Sequence, residues 1–158
     1  MRATPIIAAV VWAMLFPVPA TAGPAEDATG FVTKVMDQFN GGDAKAFVAA
    51  HEDDAVIVDE FAPHIWTGAG SARKWLDTYV KMSAAEKISG GRVDYGKPLQ
   101  ATSDGKTAYV VLPTTYRFVQ NGAKMAEPSS MTFVLRRSGQ DWRIASWTFA
   151  GSVPAVEK

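Results

Sequence analysis

The chain has 158 residues, with 16 basic and 16 acidic side chains, two histidines and no cysteine. Without a thiol, stability has to come from packing, and disulfides, a Cys-anchored lipid and thiolate nucleophiles or ligands are excluded. Balanced charge with no basic stripe argues against nucleic acid or an anionic membrane as partner.

Met1 and Arg2 give a short positive start, residues 6–16 are an uncharged apolar run, and Ala20-Thr21-Ala22 is a small-residue cleavage signal. Together they predict a secretory signal peptide over residues 1–22, cut after Ala22. The apolar run is far shorter than the roughly 20 residues of a spanning helix. The expectation is therefore a single domain over residues 23–158, periplasmic or secreted, with no membrane attachment after cleavage.

After a tether at residues 23–25, Asp27 or Thr29 is placed to cap a helix. Its Phe31, Val32, Val35, Met36 and Phe39 recur at helical spacing and bury one face. Asn40-Gly41-Gly42 stops it, and Asp43 caps a second, short helix carrying Phe47 and Val48. Asp53 and Asp54 precede a β-branched strand at residues 55–58 that ends on Asp59 and Glu60. Pro63 interrupts, and His64-Ile65-Trp66 resumes briefly. Gly68 and Gly70 then open a third helix over residues 71–82, with Trp75, Leu76 and Tyr79 on its apolar face.

From Lys87 the pattern alternates, and turn signals at residues 103–106, 121–122 and 138–141 divide the rest into four strands. They are expected near residues 91–101, 107–119, 123–137 and 142–152, as an antiparallel meander bent at Pro113 or Pro128. Helices followed by a long sheet make an α+β fold with the helices on one face. A bent sheet closed by helices encloses a cavity. From the helices it draws Val35, Met36, Phe39, Trp75 and Tyr79. From the strands and the central loop it draws Phe61, Trp66, Tyr116, Met131 and Trp147. Taken singly, each aromatic reads first as core filling, and only their convergence on one concavity points to a ligand.

The order of elements, Asn40-Gly41-Gly42-Asp43, Asp53-Asp54-Ala55, Asp59, and Trp66-x-Gly68 before the Trp75 helix resemble the nuclear-transport-factor-2-like superfamily, in its ketosteroid-isomerase and SnoaL-like branch. That resemblance implies an NTF2-like cone: N-terminal helices packed on a strongly bent antiparallel sheet, commonly as a homodimer. The family's isomerases combine an aspartate base, a tyrosine donor and a carboxyl kept neutral by an apolar site. Asp59 falls where the base stands. The tyrosine position holds Val35, and the neutral acid falls near Ser130 or Met131. Losing even one such oxyanion donor typically costs roughly 10² to 10³ in rate, so standard ketosteroid isomerisation is not expected.

Asp59, walled by aromatics, has its charged form disfavoured and its pKa raised toward the range of a general base. Its alternative role is a strand-end carboxylate bonded to a backbone N–H or a Tyr hydroxyl. His64, five residues on, is the second catalytic candidate, able to share acid and base work with Asp59 across one cavity. Glu60 is expected to face solvent, and His51 to answer a helix C-terminus and neighbouring acids. Arg117, beside Tyr116, is a candidate cation at the rim for an anionic ligand. His51, Asp53, Asp54, Asp59 and His64 are too dispersed for a metal site. No dinucleotide fingerprint or hydrolase elbow occurs, so no cofactor is expected. Three functions remain: a pocket binding a small, largely apolar organic molecule; an acid-base isomerase, dehydratase or cyclase using Asp59 with His64 or a Tyr; and a homodimeric interaction module without ligand.

Overall fold

The computed structural model describes residues 23–157; the expected leader at residues 1–22 and its cleavage point lie outside them. Helix α1 (Pro24–Asn40) starts earlier than the caps expected at Asp27 or Thr29, and residues 24 and 25 form its first turn, not a tether. Gly23 stands at the N-cap and Pro24 at the first helical position, where a missing N–H costs nothing. Glu26 and Asp27 then sit in the first turn, where the helix dipole favours carboxylates. The face carrying Ala28, Val32, Val35 and Met36 is buried.

Asn40 does more than end that helix. Its Nδ2 donates to the Val93 carbonyl at 2.8 Å and its Oδ1 accepts the Val93 N–H at 2.7 Å, so the side chain imitates a neighbouring strand. Asp43 accepts the Ala46 N–H at 2.9 Å and caps α2 (Ala44–Ala49), as expected. Helix α3 (Ser71–Ala85) follows the central loop.

Among the described residues eight strands form one curled, unclosed sheet: β1 (His51–Val58), β2 (Ile65–Trp66), β3 (Ile88–Tyr95), β4 (Gln100–Ser103), β5 (Thr107–Gln120), β6 (Ala123–Ser138), β7 (Asp141–Gly151) and β8 (Ala155–Val156). The order is β2-β1-β7-β6-β5-β3, with β4 also on β5 and β8 on β6. The long meander is as expected, but β1 lies parallel to β7. Those two strands are joined through the whole intervening chain, so no hairpin forces them antiparallel. The strand expected over residues 91–101 is two pieces, β3 and β4, both paired with β5. Between them Pro98 has no N–H to give a ladder.

Pro113 and Pro128 lie inside β5 and β6 without breaking them. The register slips elsewhere, most notably in β1 between His51 and Val56. There the carbonyl and Oδ1 of Asp53 both receive the Gly70 N–H, at 2.8 and 3.0 Å, which ties the bulged strand to the mouth of α3. The helices cover the concave face of the sheet, where Val110, Leu112, Phe133, Leu135 and Ile144 meet Val32 and Val35 in the core. No helix among the described residues is long and apolar enough to cross a membrane.

Candidate functional site

Between the helices and the concave face a cavity of about 70 Å³ remains unfilled. Helix α1 lines it with Val35, Met36 and Phe39, and α3 with Trp75, Tyr79 and Met82. The sheet adds Tyr116, Met131 and Trp147, and the loop after β1 adds Asp59, Glu60 and Phe61. Of the ten side chains expected to contact a ligand, only Trp66 stands apart. It is buried, but its ring packs behind Phe61 at 5.1 Å and its Nε1 donates to Thr78 Oγ1 at 3.3 Å. The wall is nearly continuous aromatic surface: Trp75 stacks on Tyr79 at 5.5 Å, meets Trp147 edge-on at 5.0 Å, and lies 5.9 Å from Phe39.

Asp59 follows β1 and is 8 % exposed. Its Oδ2 accepts the Trp75 indole N–H at 2.9 Å and its Oδ1 the Glu60 backbone N–H at 2.7 Å. Burial pushes its carboxyl up to about 6, against the opposite pull of those two donors. Two hydrogen bonds satisfy only part of a carboxylate's accepting capacity, so Asp59 keeps lone pairs for a guest.

The expected partnership of Asp59 with His64 is corrected. The chain turns back on itself, with the Asp59 N–H bonded to the His64 carbonyl at 3.0 Å. His64 adopts φ 69°, is exposed, and does not line the cavity. The histidine that does line it is His51, and it is committed: Nδ1 meets the Phe47 carbonyl at 2.8 Å and Nε2 accepts the Trp147 indole N–H at 3.0 Å. Burial lowers its pKa to about 4, so it is neutral near pH 7. The reading of His51 as a partner for nearby acids does not hold.

Of the tyrosines expected as a possible acid partner, two bring their hydroxyls together at the cavity. Tyr79 and Tyr116 hydroxyls lie 2.8 Å apart, and burial raises the Tyr116 phenol above its ordinary range, with Tyr79 adding to the effect. Gly91 makes room for the pair, since a Cβ there would fall 2.3 Å from the Tyr79 oxygen and 2.6 Å from that of Tyr116. A carboxyl went unnoticed. Glu127, paired across the ladder with Tyr116, is 1 % exposed. Its parity with Met131, Phe133 and Leu135 on β6 is the signal that finds it. Burial pushes it up to about 8, reinforced by Glu60 and Asp59. Glu60 is exposed, as expected, and also lines the cavity. Arg117 is no rim cation: it pairs with Asp94 at 2.7 Å and with Glu157.

Among the described residues no three His, Asp or Glu side chains are grouped to hold a metal ion. Residues 30–155 match the family described as the SnoaL-like domain. No curated protein matches the chain. Solved structures with the same fold include LinA (TM-score 0.68, 7 % identity, 82 % of this chain and 86 % of that one covered). Another is SalBIII, described as an epoxide hydrolase/cyclase-like enzyme of pyran ring formation in the polyether salinomycin (0.61, 18 %, 83 % and 96 %). A third is an NTF2-like protein with a cystatin-like fold from Novosphingobium aromaticivorans (0.62, 18 %, 80 % and 80 %). At such identities the likeness is one of fold.

Proposed function

Because the chain belongs to the SnoaL-like domain family, we propose that its cavity binds a small, largely apolar organic molecule, oriented by Asp59. The supporting observation is a buried, incompletely satisfied carboxyl opening into a hollow lined mainly by aromatic and aliphatic side chains, the usual composition of a small-molecule site. The test is a titration with benzyl alcohol, followed by quenching of the cavity tryptophans and by melting temperature. Binding stabilises the native state by mass action, so the melting point rises with probe. Tyr79→Ala weakens binding by at least about tenfold as wall contact is lost, whereas Trp66→Ala leaves affinity unchanged. Saturating probe with no quench and no thermal shift overturns the reading.

A second reading is favoured by the Asp59 carboxyl near 6 together with the Tyr79–Tyr116 hydroxyl pair. Asp59 takes a proton from the bound molecule, and a phenol replaces His64 as donor to the charge that develops. The fold-mate SalBIII is described as cyclase-like, a chemistry compatible with that division of labour. 5-Nitrobenzisoxazole, which opens to a coloured phenolate when a base removes its ring proton, reports on it. The rate should rise through pH about 6 as Asp59 ionises and vanish in Asp59→Asn, which still binds benzyl alcohol. Equal rates in the variant exclude Asp59 as the base.

A further inference from the structure

The cavity opens beside an outer groove that Glu60, Phe61 and Tyr116 also line. Every charged side chain on these two linings is a carboxyl: Asp59 and Glu60 inside, Glu60, Glu86 and Glu127 outside. No Lys or Arg among the described residues lines either space, and His51 is held neutral by burial. An anionic guest finds no cation there to receive it.

The arrangement is more specific than a collection of acids. Glu127 is almost wholly buried, and its Oε1 finds no hydrogen-bond partner although it lines the groove. Its neighbour is Glu60. Both carboxyls converge on Gly151, where a Cβ would fall 1.7 Å from Glu127 Oε1 and 2.7 Å from Glu60 Oε2. A side chain at Gly151 would push one or both carboxyls out of this position. Burial and the nearby Glu60 both disfavour the charged form of Glu127, so its carboxylate calls for a proton or a cation beside it. Glu60 belongs to both linings, so a positive group seated against it reaches Glu127 on one side and the aromatic hollow on the other.

Resting on the reading of the cavity as a small-molecule site, we propose that its ligand is an organic amine. The protonated nitrogen sits between Glu60 and Glu127, and the apolar body lies against Phe61, Trp75 and Tyr79. An ammonium has three donors and no acceptor. It supplies what Glu127 Oε1 lacks, and aromatic faces add cation–π attraction. A divalent metal ion is disfavoured, because it needs six or more oxygen ligands in the case of calcium, or an octahedral set in the case of magnesium. In the free protein Glu127 holds its proton near pH 7, because burial and the neighbouring Glu60 and Asp59 push it up to about 8; Glu60, Asp59, Glu86 and Tyr116 are the titratable groups facing it. The bound ammonium replaces that proton, which leaves to solvent.

Benzylamine, benzyl alcohol and benzoate share a ring and differ in charge. Titrated at pH 7 by calorimetry, wild-type protein should bind benzylamine at least about tenfold more tightly than benzyl alcohol, in keeping with the strength of charge-assisted hydrogen bonds, and benzoate not measurably. In buffers of different ionisation heat, benzylamine binding should release a proton and benzyl alcohol binding none. Glu127→Gln keeps a donor toward Glu60 but cannot become an anion. It should lose the amine preference and the proton release, with benzyl alcohol affinity intact. The wild-type probe series and proton count need no variant to fold. Equal affinity for amine and alcohol, or no proton release, overturns the amine assignment and leaves the apolar site standing. Failure of all three probes removes both.

Discussion

Asp59 and His51 face the same cavity and are displaced in opposite directions by the same cause, removal from water. For Asp59 the folded pKa, about 6, exceeds the ordinary 3.8. The native state therefore holds the proton better, and the resulting stability, complete below 3.8, is lost as pH rises through 6. For His51 the folded value, about 4, lies below 6.5, so stability present above 6.5 is lost as pH falls through 4. Between pH 4 and 6 the two contributions oppose, each on the order of 3 kcal/mol. Urea unfolding across this window should show Asp59→Asn gaining stability over wild type as pH rises. His51→Gln, which keeps polar atoms near Phe47 and Trp147 but no longer titrates, should lose relative stability over the same range. Flat difference curves would mean that water reaches these groups freely.

At the level of the element, the clearest joint is Asn40, which carries the end of α1 onto the edge of β3 through both polar groups of Val93. Asn40→Ala removes two hydrogen bonds of about 1 kcal/mol each. It should lower stability by about 2 kcal/mol and speed hydrogen exchange at the Val93 amide. Unchanged exchange there would show that β3 is held by β5 alone. The Asn-Gly-Gly-Asp turn is legible in sequence as a helix stop and a cap, but its bridge to a strand 53 residues away is not. The same limit governs the site. Helical spacing placed Val35, Met36, Phe39, Trp75 and Tyr79, and strand alternation placed Tyr116, Met131 and Trp147, because periodicity reports which face is buried. It says nothing in a turn. The reversal between Asp59 and His64 that sends the imidazole outward has no periodic signature, nor does the parallel docking of β1 on β7. Glu127 was legible by parity and was obscured by its charge, since carboxyls are rarely buried without a partner.

Taken as one object, the molecule leaves a hole where most domains place side chains. Curling of the sheet under three short helices makes the hollow. A void of about 70 Å³ costs on the order of 2 kcal/mol at the cavity price measured in other cores. A protein selected only for stability fills such a space, so an unfilled one trades stability for room. Val35 gives the most direct test, being buried on α1 and facing the void. Val35→Leu adds one carbon, worth roughly 0.8 kcal/mol when it enters an apolar space without strain. The melting temperature should rise, while benzyl alcohol affinity falls because probe and side chain compete for the same volume. A variant less stable than wild type would show that the cavity cannot accept even one more carbon, and so has no room for a ring.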